Sequence, residues 1–163
     1  MEEKKSTYAV RYYTRGGHTR MLAEAIAEEL GCEAFSTSQR LSGYTDILFL
    51  GGAVYANHLD PNITGFIDHF DRSKVGKIIL FGDAAVTNPC KKMRTRLAGR
   101  GIPAETDEFY CRGSFKLLYR SHPNADDIQN AREFARRWRQ MDPAAPQPVD
   151  AGSKYANIRH WAE

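Results

Sequence analysis

Apolar positions along the chain alternate between strand-like and helix-like spacing, and the changes of spacing mark the elements. Thr7 to Tyr13 is rich in Tyr, Val and Thr, residues that suit a pleated, buried surface. Beyond a glycine-containing loop, Leu22, Ala23, Ile26, Ala27 and Leu30 recur at helical spacing, and Gly31 is placed to end that helix. Cys32 to Ser36 is a weak strand. Asp46 to Gly51 and Lys77 to Gly82 are continuous apolar runs, as expected of parallel strands covered on both faces. Asp60-Pro61 and Asn88-Pro89 each supply an N-cap followed by proline at the first helical position. Ile63, Phe66, Ile67 and Phe70 follow the first cap; Met93 and Leu97 follow the second. Glu108 to Tyr110 is a fifth strand. Asn124 with Asp127 caps a last helix carrying Ile128, Ala131, Ala135 and Trp138. Five strands alternating with helices predict an α/β fold, a three-layer, doubly wound, five-stranded parallel sheet.

The pattern breaks after Trp138, so residues 1–141 are expected to form one domain and 142–163 a proline-rich linker and tail. Asp142-Pro143-Ala144-Ala145-Pro146-Gln147-Pro148 is semi-rigid and extended. Beyond it, Tyr155, Ile158 and Trp161 belong either to a frayed terminus or to a segment docked on the domain or on a second subunit, which leaves a homodimer open. At 163 residues, 42% hydrophobic and 26% charged, the chain can bury one sizeable core. No apolar run is long enough to span a bilayer, and Met1 to Lys5 lacks a signal-peptide core. Three scattered cysteines, Cys32, Cys90 and Cys111, read as reduced thiols of a cytoplasmic protein.

The loop Thr14-Arg15-Gly16-Gly17-His18-Thr19 carries the candidate chemistry. It joins a strand to a helix whose first N–H groups have no partner within the helix. Glycines let backbone close on an anion there, the helix dipole favours negative charge, and Thr14 and Thr19 add hydroxyls. Neither the P-loop pattern nor Gly-x-Gly-x-x-Gly is present. The loop resembles the flavodoxin phosphate loop, Ser/Thr-x-Thr-Gly-x-Thr, through Thr14, Gly17 and Thr19; it departs at Gly16, where a third hydroxyl is usual. Arg15 and His18 could supply positive charge instead. Because the x position of the motif commonly faces outward, Arg15 is expected to point into solvent.

That resemblance implies strand order 2-1-3-4-5, with a ligand at the reversal between the first and third strands. The segment after the third strand, Gly51-Gly52-Ala53-Val54-Tyr55-Ala56-Asn57, is similar to the one that lines a flavin face in flavodoxins, small residues admitting the ring and Tyr55 offering an aromatic surface. After the fourth strand, Gly82-Asp83-Ala84-Ala85 leads into Val86-Thr87-Asn88 without the stacking tyrosine of simple electron carriers, implying an open ring whose pyrimidine edge meets backbone. Tyr110 or Tyr119 could add an aromatic from the last loop. The resemblance covers about Tyr8 to Trp138 and implies bound FMN. The expected function is that of a small flavin-dependent reductase or dehydrogenase acting on a quinone or similar acceptor. A one-electron carrier between protein partners is the alternative, and a binding protein that has lost its cofactor a third class. The partner is a redox protein or a small-molecule electron donor or acceptor.

Charge bears on that choice. Electron-shuttling flavodoxins are typically acidic, whereas this chain is net +3. Lys91, Lys92, Arg94, Arg96 and Arg100 on one helix, and Arg132, Arg136, Arg137 and Arg139 on the last, read mainly as solvated faces, otherwise as a surface for an acidic partner or anionic ligand. No nucleic-acid-binding motif accompanies them. His18, His58, His69, His122 and His160 show no zinc-site spacing. Cys90, in a first helical turn beside two lysines, could be an activated thiol but reads better as structural. His58 and Asn57 could contact a substrate. Arg11, on a central strand, is expected to be structural and paired with a carboxylate.

Overall fold

The computed structural model describes residues 5–83, 87–111, 123–142 and 144. In chain order its elements are β1 (Tyr8–Tyr12), α1 (His18–Leu30), β2 (Ala34–Ser36), β3 (Thr45–Tyr55), β4 (His58–Leu59), α2 (Pro61–His69), β5 (Val75–Asp83), α3 (Pro89–Gly99), β6 (Glu108–Cys111) and α4 (Ala125–Met141). Five parallel strands form the sheet in the order β2-β1-β3-β5-β6. Leaving out the two-residue β4, this is the expected 2-1-3-4-5 order of a doubly wound α/β sheet.

Period-two alternation explains the layers. On β3 and β5, Ile47, Phe49, Ile79 and Phe81 face a layer built by α1 and α4, with Leu22, Ile26, Leu30 and Phe134. Leu48, Leu50, Ile78 and Leu80 face the other way, onto Ile63 and Ile67 of α2 and Met93 and Leu97 of α3. Every residue of these two strand cores is buried, so the sequence runs apolar without alternation.

The caps act as expected. Asp60 accepts the Asn62 N–H at 2.8 Å, Asn88 accepts that of Cys90 at 2.9 Å, and Asn124 with Asp127 completes a capping box. Gly31 closes α1 at φ 73°.

Three expectations need correction. β3 does not stop at Gly51 but runs to Tyr55, turns through Ala56 and Asn57 and returns as β4, an antiparallel hairpin. The Gly-Gly pair reads as a turn but serves packing: a Cβ on Gly51 would lie 2.3 Å from the Phe81 ring. Arg11 meets carbonyls rather than a carboxylate, donating to Gln39 O at 2.8 Å and Val10 O at 3.1 Å while stacking on Phe35. The α4 arginines are only partly a solvated face: Arg137 is more than half exposed, whereas Arg132 and Arg139 are largely covered. Arg132 Nη2 binds Glu28 at 3.0 Å and Arg136 Nη2 binds Glu29 at 2.9 Å, so they clamp α4 to α1. Tyr119 and Tyr155, Ile158 and Trp161 lie outside the described residues.

Candidate functional site

The carboxyl ends of β1, β3 and β5 bring together most of the residues singled out in the sequence. β1 feeds α1 through Tyr13 to Gly17, with the Tyr13 N–H held by Gly51 O at 3.3 Å. Gly17 is the N-cap of α1 at φ 89°, a left-handed value that L side chains rarely adopt. Thr14 Oγ1 accepts the Gly17 N–H at 2.9 Å, so this hydroxyl shapes the loop. Gly16 is exposed and its neighbourhood open. The first turn of α1 points its amides at this end.

Arg15 stays more than half exposed, but its head group is not free in solvent. Its Nε donates to Asp60 Oδ2 at 2.7 Å, its guanidinium lies 4.2 Å from the Tyr55 ring centre, and its N–H donates to Tyr55 Oη at 2.9 Å. The cause is Asp60: buried as the α2 cap, it holds a carboxylate oxygen toward the loop that Asn62 does not occupy. Burial raises the Asp60 carboxyl, but the two Asn62 donors and Arg15 outweigh it and hold the group below the usual carboxylate range. Burial pushes the Tyr55 hydroxyl up, opposed by the Arg15 N–H.

Asp83 is the second departure. Alternation along β5 puts its side chain on the α1 side, 6% exposed, where the buried Thr19 hydroxyl donates to it. His18 Nδ1 lies 3.7 Å from its other oxygen. The start of α1 thus already faces one carboxylate of the chain itself.

The small residues divide in two. Gly52 and Gly82 pair in register inside the sheet; a Cβ on Gly82 would meet Gly52 O at 2.2 Å, and one on Gly52 would meet Met93 at 3.1 Å. With buried Ala53 they are required by packing. Val54 and Tyr55 are half-buried, Ala56 and Asn57 exposed, at the carboxyl end of β3. Thr87 Oγ1 donates to Asn57 Oδ1 at 3.0 Å, tying the loop before α3 to the hairpin. Ala84 and Ala85 lie outside the described residues. Tyr110 ends exposed on β6.

Cys90 is structural. It is fully buried, its thiol reaches Phe109 O at 3.7 Å, and burial, reinforced by Glu108, pushes it well above the usual thiol range. Two relations escaped the sequence, the Arg15–Asp60 pair and the Thr19–Asp83 bond. Both join residues more than forty positions apart.

No protein-family model matches the chain. An uncharacterized protein of Methanocaldococcus jannaschii is 28% identical over 134 residues, covering 73% of this chain and 88% of that protein. Among solved structures, a flavodoxin from the domain Archaea superposes with a TM-score of 0.69 at 12% identity, over 83% of this chain and 97% of that one. Flavodoxin 2 from Bacillus cereus gives 0.62 at 15% identity, over 83% and 99%. The flavodiiron core of Flv1 from Synechocystis sp. gives 0.64 at 14%, over 85% of this chain and 36% of that one. No helix among the described residues is long and apolar enough to cross a membrane. With its strand order, its left-handed glycine at the start of α1 and these superpositions, the chain has the flavodoxin-like fold.

Proposed function

We propose that the protein binds FMN non-covalently at the carboxyl edge of the sheet and works as a small flavin-dependent reductase or dehydrogenase. The observation that carries this reading is Gly17, left-handed at the start of α1, flanked by Thr14 and Thr19 at the reversal between β1 and β3, in a loop that Tyr55 joins through the Arg15 N–H. That backbone suits a terminal phosphate monoester, and no second phosphate-binding fingerprint accompanies it, so FMN is favoured over FAD. In this reading Thr14 to Thr19 hold the phosphate end and Val54 to Asn57 meet the ring. Gly52, Ala53 and Gly82 support these segments from inside the sheet. FMN, when bound, supplies hydride or electron chemistry; the protein supplies position and charge. The net charge of +3 favours a small-molecule acceptor over the partner encounters of acidic shuttles.

Titration of FMN and FAD into the purified protein, read by flavin fluorescence quenching, tests the reading. FMN should bind tighter than FAD, and Gly17→Asp should lose binding. A Cβ at Gly17 meets nothing within 4 Å, so that loss would come from backbone strain at φ 89° and from charge. Equal or tighter binding of FAD, or retained quenching in Gly17→Asp, refutes the site. Catalytic turnover of NAD(P)H with a quinone separates a reductase from a carrier, which transfers electrons only in proportion to its own amount.

A further inference from the structure

A groove of about 900 Å³ runs between α2 and α3 and opens beside the hairpin turn, lined by His58, Leu59, Thr87, Lys91, Lys92 and Arg96 among others. The cations of α3 are not equivalent. Arg94 pairs with Glu108 at 2.8 Å, Arg96 Nε with Asp68 at 2.9 Å, and Arg100 donates to Phe70 O at 3.2 Å while stacking on that ring. Among the described residues, no carboxylate pairs with Lys91 or Lys92. Both stand in the first turn of α3, which holds no acid, where the helix dipole opposes positive charge. Helix stability therefore does not account for them. Leu59 adds an apolar surface to the same groove, and the volume is that of a small-molecule site.

We propose that this groove binds a small organic dianion, its acid groups met by Lys91 and Lys92 and its apolar body lying along Leu59. The proposal is independent of the flavin reading. The groove is open to solvent; its charge and the Leu59 wall suit a small anion with an apolar body, and an acidic protein surface is the competitor that the test below excludes.

The probe is naphthalene-1,5-disulfonate, titrated by calorimetry into the flavin-free protein at low and physiological salt, with naphthalene-1-sulfonate as the monoanion. The disulfonate should bind at least tenfold tighter than the monosulfonate. Lys91→Gln/Lys92→Gln should weaken it tenfold or more without lowering the melting temperature, and Arg137→Gln, on α4, should leave it within twofold. No measurable binding of the disulfonate, or equal binding by the double variant, overturns the proposal. So does poly-L-glutamate binding a hundredfold tighter than the disulfonate, which would make the face a protein-docking surface. Because the titration uses no flavin, its failure is distinct from failure to bind FMN.

Discussion

Asp83→Asn should tighten FMN binding. The Asp83 carboxylate accepts the buried Thr19 hydroxyl within the first turn of α1, the turn that would also receive the phosphate. Two unit charges about 6–8 Å apart at an effective dielectric near 20 repel by about 2–3 kcal/mol. His18, 3.7 Å from the carboxylate, offsets part of this when protonated. A net relief of about 2 kcal/mol is expected, about thirtyfold in affinity. Asparagine has nearly the same shape, and its carbonyl oxygen can still accept from Thr19, so the loop should keep its geometry. The assay is FMN fluorescence quenching at low and at physiological salt, with riboflavin, which lacks the phosphate, as the internal control. The gain should appear for FMN and be absent for riboflavin. An FMN affinity unchanged within threefold, or an equal gain for riboflavin, would refute a clash between Asp83 and the phosphate.

Three further outcomes follow from the packing. Glu28→Ala strips Arg132 of its 3.0 Å partner on a largely buried helix contact and should cost about 2 kcal/mol in denaturant unfolding, much of it recovered in Glu28→Leu/Arg132→Leu; full additivity of the two changes would contradict the pairing. The folded-state pKa of Asp60 is depressed, so its charged form contributes stability above the unfolded value of about 4, and that contribution is lost as pH falls through the folded pKa. Asp60→Asn should therefore trail the parent by about 1 kcal/mol from pH 5 to 8 and converge with it below about pH 4; a gap independent of pH would exclude the charge as its cause. Ala56 sits at φ 49° and Asn57 at φ 65°, left-handed positions of the hairpin turn where a Cβ is disfavoured. Ala56→Gly should thus gain about 1 kcal/mol, raising the melting temperature by about 2–4 °C; a lower melting temperature would show that the strain is absent.

What the sequence revealed was local. Asp60-Pro61, Asn88-Pro89, Asn124 with Asp127, and Gly31 each act on backbone groups within a few residues, so residue type and spacing suffice to place a helix end. The apolar runs of β3 and β5 were legible for a related reason, since burial on both faces writes itself into every consecutive position. Partners across the fold were not legible. Arg132 and Arg136 of α4 have the composition of a solvated face, and their neighbours, Glu28 and Glu29, lie more than a hundred residues earlier. Arg15 likewise meets its carboxylate 45 positions on, because the buried α2 cap leaves one oxygen facing the loop.

Small residues near a crevice carry two signals that a sequence cannot separate, and here they part. Gly17 is demanded by its left-handed backbone and has open space where a side chain would start. Gly52 and Gly82 are demanded by their neighbours, since a Cβ on either would press on Met93 or on the facing strand. The segments proposed to hold FMN thus contain one glycine whose substitution tests ligand contact and two whose substitution tests the sheet. Gly82→Ala would force apart β3 and β5, the central strand pair of the sheet, whether or not FMN is present. Loss of flavin in that variant would therefore report on the scaffold. Evidence about the phosphate has to come from Gly17, where a side chain would meet open space, and from Asp83, where asparagine removes the charge and keeps the shape.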